Sequence, residues 1–476
     1  MEVFKAGLWT ISGQISALSI TVLSLVILGR MIEPTEFGIM ALVIAVHTVL
    51  RPVFDPGLLP VYVKRSRVHK ELRAVFLTVS LGTSVIGTIL ICTAAPFLSS
   101  IYQIESLTSL LRVSALSLVF SSLSIQPQAI AVRNKSFQQL TIAQVSSQCL
   151  GLLVGISLAL LGYGVWALVM KGVAESATRL VLLAMFNGFK WQLRGLNSVR
   201  KYTLEMKAAA TITISRIVLG ISSASDKVVF AFFLDLVPLG AYSRSQQMSE
   251  IPNNNIQPAI TTPALSFLAR RTQMTKSEDY ILLLWIIHVF VITPCLLFVT
   301  IGDDLLPLVM GRKWDEYGWI LQLSGVYGAG FSFQGLVQTL NLDSNRSSDT
   351  TKLSICGLLL VLFPAVIVQI LIDDFAMTFL VFALLTVSYW TYSLVKTAKA
   401  TLDDAGPFSR NLTKVLLVSV AAIATAEYVK ITFEPPSLAF AILTPSSVLI
   451  LTSLLGVVVS SSQVRAIAES CIKKKA

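Results

Sequence analysis

Apolar runs recur along the chain, separated by short polar breaks. They occupy about 6–29, 37–62, 74–98, 107–132, 138–162, 163–187, 206–234, 279–302, 317–342, 353–372, 375–395, 411–431 and 437–460. Each is about as long as a membrane-spanning helix, which takes roughly 20 apolar residues to cross the hydrocarbon core. Segment 241–270 interrupts the pattern. It carries Asn253, Asn254, Asn255 and Gln257 between Pro252 and Pro263, and hydropathy alone does not assign it. If it spans, the chain has 14 transmembrane helices; if it does not, the C-terminus changes sides.

Composition agrees with the pattern. Of 476 residues, 54% are hydrophobic and only 13% are charged, against roughly 25% charged in a soluble domain. That leaves too few charges to coat several soluble domains, which excludes a soluble multidomain enzyme, a disordered chain and a disulfide scaffold. Cys92, Cys149, Cys295, Cys356 and Cys471 show no metal-ligand spacing and no disulfide framework. The first apolar run, after Lys5, is longer than a signal-peptide core and lacks an Ala-x-Ala site, so it reads as an uncleaved first span.

Net charge is +11. In a membrane chain the placement of the bases matters more than their sum, because basic loops stay cytoplasmic. With 14 spans and the N-terminus inside, the inside connections collect Lys64, Arg65, Arg67, Lys70, Arg73, Lys190, Arg194, Arg200, Lys201, Arg270, Arg271, Lys276 and the tail Lys473, Lys474 and Lys475. The outside connections keep Arg30, Arg312, Lys313 and Lys430. Dropping 241–270 would put every later basic loop outside. The expectation is therefore 14 spans with both termini cytoplasmic. The net charge sets topology, and no nucleic-acid partner is expected.

The chain also repeats. Gly38 ends Pro34-Thr35-Glu36-Phe37-Gly38, and Gly240 ends Leu236-Val237-Pro238-Leu239-Gly240, an offset of 202. Under that offset Pro258 falls on Pro56, while Pro252 and Pro263 fall near Pro52 and Pro60. This predicts an all-α integral membrane protein with two related six-helix lobes and two further helices. The expected boundaries are 1–187 for the first lobe, 188–202 for a basic cytoplasmic linker and 203–398 for the second lobe. The last two spans fall in 399–460 and a basic cytoplasmic tail in 461–476. Duplicated bundles around a central site are a common transporter plan.

Charges inside spans are costly, and they usually face a partner or a wet cavity. Span two carries His47, Arg51 and Asp55, and span six carries Lys171, Glu175 and Arg179, each set four residues apart on one helical face. Span seven adds Arg216, Asp226 and Lys227, and span eight adds Arg244. One reading is a cationic cavity formed by Arg51, Lys171, Arg179, Arg216, Lys227 and Arg244, since arginine's planar fork suits phosphate. The other is mutual neutralisation along each helix. Asp55, Glu175 and Asp226 are candidates for charge pairing or for binding a coupling proton or sodium ion; no other cofactor and no metal site is expected. His47 reads as a packed helix residue. Asn253, Asn254, Asn255 and Gln257 offer donors and acceptors that suit sugar hydroxyls, or they bond neighbouring helices. No phosphate-binding Gly-rich loop and no His-Glu-x-x-His is present, and the acidic pairs Asp303-Asp304, Asp373-Asp374 and Asp403-Asp404 are assigned to short connections. No catalytic residue is expected, and the chain does not read as an enzyme.

Several short motifs occur in a fixed order. They are Leu28-Gly29-Arg30 with Pro34-Thr35-Glu36-Phe37-Gly38, then Phe54-Asp55-Pro56-Gly57-Leu58 and Gly162-Tyr163-Gly164-Val165-Trp166. Ser225-Asp226-Lys227, Leu239-Gly240-Ala241-Tyr242-Ser243, Gln257-Pro258 and Met310-Gly311-Arg312-Lys313-Trp314 follow. In this order they resemble the Wzx/PST-type polysaccharide flippases of the multidrug/oligosaccharidyl-lipid/polysaccharide exporter superfamily. The resemblance implies a 14-helix, two-lobed transporter in the bacterial inner membrane. Its cargo would be an undecaprenyl-pyrophosphate-linked oligosaccharide for exopolysaccharide, capsule or lipopolysaccharide. Membrane lipids, a polysaccharide polymerase and a chain-length regulator would be its partners. Related lipid II flippases carry arginines on helices one, two and eight; Arg51 and Arg244 suit two of these, and Gln14 stands on helix one, with Arg216 and Lys227 as substitutes. The alternatives are a lipid II flippase, a drug/cation antiporter of the same superfamily and, last, an O-antigen-type polymerase.

Overall fold

The computed structural model describes residues 2–58, 62, 70–187, 202–268, 273–344, 346–433, 446–451 and 453. The linker 188–201 and the tail 461–476 lie outside the described residues. Thirteen long helices follow one another: α1 (Glu2–Met31), α2 (Pro34–Phe54), α3 (Lys70–Tyr102), α4 (Ser106–Arg133), α5 (Phe137–Leu160), α6 (Val165–Phe186) and α7 (Thr203–Phe230). Next come α8 (Leu236–Ile251, Pro252–Ile256 and Gln257–Leu268), α9 (Gln273–Ile287, His288–Ile292 and Thr293–Met310) and α10 (Gly318–Asp343). Last are α11 (Ser347–Gly357, Leu358–Leu362 and Phe363–Ile372), α12 (Phe375–Thr401) and α13 (Gly406–Phe433). Residues 446–451 are helical as well and fall in the last apolar run, 437–460.

Among the described residues, nine helices are long and apolar enough to cross a membrane by length and composition. The other four are α6, α7, α8 and α10. Three of these carry the intramembrane charges found in the sequence. The ambiguous segment is helix throughout its described part, 236–268. Asp303 and Asp304, expected in a connection, instead lie inside α9, because that helix runs on to Met310. The connection that remains is one 3₁₀ turn, Arg312–Tyr317.

α8, α9 and α11 each contain a π-helical turn, and each turn ends two residues before a proline: Ile256 before Pro258, Ile292 before Pro294, Leu362 before Pro364. Proline has no N–H, and its ring collides with the carbonyl four residues back. Widening the preceding turn removes that collision without ending the helix. The Gln257 and Thr293 amides accordingly donate five residues back, to the Pro252 and His288 carbonyls.

The chain divides into two compact units, 1–240 and 241–476. In the first, α5 packs on α6 and α1, α4 on α3 and α6, and α7 along α2. Phe54, Leu42, Leu107, Leu110, Leu111, Val169 and Leu239 form part of its apolar core. By contact α7 falls in the first unit, packed along α2. In the second unit α10 packs on α9 and α12, around Trp285, Phe333, Trp390, Leu394 and Phe408.

The repeat-related turns meet inside the first unit. A side chain at Gly38 would run into the Leu236 carbonyl, and one at Gly240 into the Pro34 carbonyl at 2.5 Å. Leu236 is Pro34 moved by the same 202 residues that relate the glycines, so the contact is reciprocal. Only glycine lets two backbones approach this closely.

Candidate functional site

α2, α4 and α6 enclose a cavity of roughly 310 Å³ within the first unit. His47, Thr48 and Arg51 come from α2, Ser117, Ser121 and Ser124 from α4, and Glu175, Ser176 and Arg179 from α6. The spacing of four expected from the sequence does put His47 with Arg51, and Glu175 with Arg179, on cavity-facing surfaces. The two stripes therefore converge. His47 Nε2 lies 2.8 Å from Ser114 Oγ, which fixes the imidazole against α4.

The cavity holds two guanidinium groups and one carboxylate. Arg51 is exposed at its mouth, and neither Arg51 nor Arg179 makes a hydrogen bond or ion pair among the described residues. Glu175 sits one turn before Arg179 on α6, and Arg51 lines the same cavity from α2. The lining therefore carries two arginines against one carboxylate.

The other candidate bases are placed differently. Arg216 Nη1 donates to Asp55 Oδ2 at 3.1 Å, joining α7 to the end of α2. One sequence reading had Asp55 neutralise Arg51 along α2; in the structure Asp55 caps the end of α2 and its carboxylate pairs with Arg216. Lys227 lies 3.9 Å from Asp226. Lys171 is not among the residues lining the cavity. Its backbone is pressed against α5, where a side chain at Gly151 would come within 2.9 Å of the Lys171 carbonyl. Arg244, in the second unit, donates to Gln247 Oε1.

The amide cluster of α8 is largely engaged in helix packing. Asn253 donates to the Gly328 carbonyl at 3.0 Å, and Gln257 to the Ser332 carbonyl at 2.8 Å. Both are buried and, four residues apart, they clamp α8 to α10. Asn255 bonds the Ile251 carbonyl of its own helix. Asn254 is exposed, beside Glu250. Sequence reading missed the hydroxyl wall of Ser117, Ser121, Ser124, Thr48 and Ser176. Its signal was the spacing of serines at 114, 117, 121 and 124, which share one face of a helix.

These features define a multi-pass helical membrane protein with a polar, arginine-bearing cavity inside its first unit. Residues 27–318 match the family described as "Polysaccharide biosynthesis protein", and the chain belongs to that family. It is 22% identical to the lipopolysaccharide biosynthesis protein WzxC of Escherichia coli (strain K12) over 334 residues, 67% of this chain and 65% of that protein. It is 23% identical to the succinoglycan biosynthesis transport protein ExoT of Rhizobium meliloti (strain 1021) over 254 residues, 53% of this chain and 51% of the relative. The chain thus spans half to two-thirds of the length of these relatives. Its fold is that of the lipid II flippase MurJ in an inward closed conformation, with a TM-score of 0.70 at 15% identity, covering 98% of this chain and all of the other.

Proposed function

We propose that the chain translocates a polyprenyl-pyrophosphate-linked oligosaccharide across the bacterial inner membrane, for surface-polysaccharide assembly. The carrying observation is that Arg51 and Arg179, from different helices, line one cavity that holds a single carboxylate, Glu175. Paired guanidinium donors match phosphate oxygens, and their attraction is stronger away from bulk water. The polyprenyl chain stays in lipid, and exchange between inward- and outward-open states carries the head group across. Both termini are cytoplasmic in this reading, and a polymerase and a chain-length regulator consume the product. The relatives' roles in lipopolysaccharide and succinoglycan biosynthesis support it. The lining argues against a drug/cation antiporter, since two arginines face one glutamate and would repel a cationic cargo. It argues equally against a polymerase, since the Arg312–Tyr317 connection is too short to hold a catalytic loop.

The test is binding of undecaprenyl pyrophosphate to the purified full-length protein in nanodiscs. A charge-assisted hydrogen bond contributes about 1.5–3 kcal/mol, so Arg51→Ala and Arg179→Ala should each weaken binding about tenfold or more. Unchanged affinity in both variants would overturn the assignment.

A further inference from the structure

The charged groups occupy only part of the cavity wall. Along α4, Ser117, Ser121 and Ser124 face it, and Thr48 and Ser176 complete a band of hydroxyls. Ser117 Oγ donates to the Ser114 carbonyl at 2.7 Å, Ser124 Oγ to the Ser121 carbonyl at 2.6 Å, and Thr48 Oγ1 to the Ile44 carbonyl at 2.8 Å. Ser176 Oγ donates to the Gly172 carbonyl at 2.9 Å. A hydroxyl has one proton and two lone pairs. With each proton held by its own helix, these oxygens are left as acceptors. The Ser121 hydroxyl makes no hydrogen bond among the described residues and can accept as well as donate.

The wall is therefore chemically divided. Arg51 and Arg179 only donate, whereas the α4 side mainly accepts. Pyrophosphate alone would satisfy the first half and leave the second without donors, because its oxygens are acceptors. A pyranose bonded to the phosphate supplies the missing hydroxyl donors. At roughly 310 Å³ the cavity is at the small end for a ligand site, so it fits a head-group fragment and not a whole repeat unit.

We propose that the hydroxyl wall of α4 is the subsite for the first sugar, the one bonded to pyrophosphate, while the remaining sugars lie outside this cavity. The proposal rests on the reading that Arg51 and Arg179 hold the pyrophosphate. It makes Ser117, Ser121 and Ser124 specificity-determining residues. The amides Asn253 and Gln257, engaged with α10, have no part in it.

The experiment uses the full chain in nanodiscs and two probes, undecaprenyl pyrophosphate and undecaprenyl pyrophosphate carrying a single glucose. The wild type should bind the glucose-bearing probe about tenfold more tightly, the effect of one or two net hydrogen bonds. Ser117→Ala/Ser121→Ala/Ser124→Ala should keep the bare probe's affinity within about twofold and lose most of the sugar-dependent gain. Ser121→Thr, which retains a hydroxyl, should keep the gain. Arg51→Ala should weaken both probes alike. A gain that survives in the triple-alanine variant, or is absent from the wild type, overturns the sugar subsite. Loss of both probes by the triple variant overturns it too, since the serines would then serve the pyrophosphate. A wild type that binds neither probe instead overturns the pyrophosphate reading beneath it.

Discussion

At the scale of single residues, what matters is which charges are paired. Arg51 and Arg179 share one cavity with a single carboxylate, Glu175, while Arg216 is held by Asp55. Arg216 sits at the middle of α7, where an unpaired charge costs about 2.5–3.5 kcal/mol on insertion scales. Asp55→Asn should therefore lower the melting temperature of the purified protein, and Asp55→Asn/Arg216→Gln should restore most of the loss. A double variant no better than the single would show that the pair is not the source. Sequence spacing found the convergent faces, because four residues make about one helical turn. It left the partner of Asp55 open, and the structure gives Arg216 on α7, 161 residues away in sequence. It also gave no hint that Asn253 and Gln257 would meet the carbonyls of Gly328 and Ser332, since those lie 75 residues away in sequence.

At the scale of elements, the spans were legible as apolar runs, and the uncertain eighth proved helical despite its asparagines. The prolines that made it look irregular are absorbed by π turns, a device that hydropathy does not register. The 202-residue offset was legible too. What it could not show is that Gly38 and Gly240 pack reciprocally on the backbones of Leu236 and Pro34. Overpacking typically costs about 1–3 kcal/mol, and here the colliding atoms are main-chain atoms that cannot rotate away. Gly38→Val and Gly240→Val should each sharply reduce folded protein in size-exclusion chromatography. Gly82→Ala, with open space around its Cα, should not. Equal yields for all three would remove the close crossing from the account.

At the scale of the whole molecule, the family match and the MurJ-like fold agree with the sequence reading of a many-span, all-helical membrane protein. The proposed orientation rests on the distribution of basic loops. A periplasm-active reporter fused after residue 195 should be silent and one fused after Lys313 active; the reverse would invert the topology. Hydropathy locates spans but not their neighbours, so the packing of α7 along α2 was not legible in the sequence. The account's central claim is that the α2–α6 arginines carry the head group. The direct measurement is surface polysaccharide in cells whose only copy is Arg51→Ala/Arg179→Ala, at matched membrane levels of the protein. The expected result is a fall of about tenfold or more, with lipid-linked repeat units accumulating in the membrane. Wild-type export by that double variant would contradict the account.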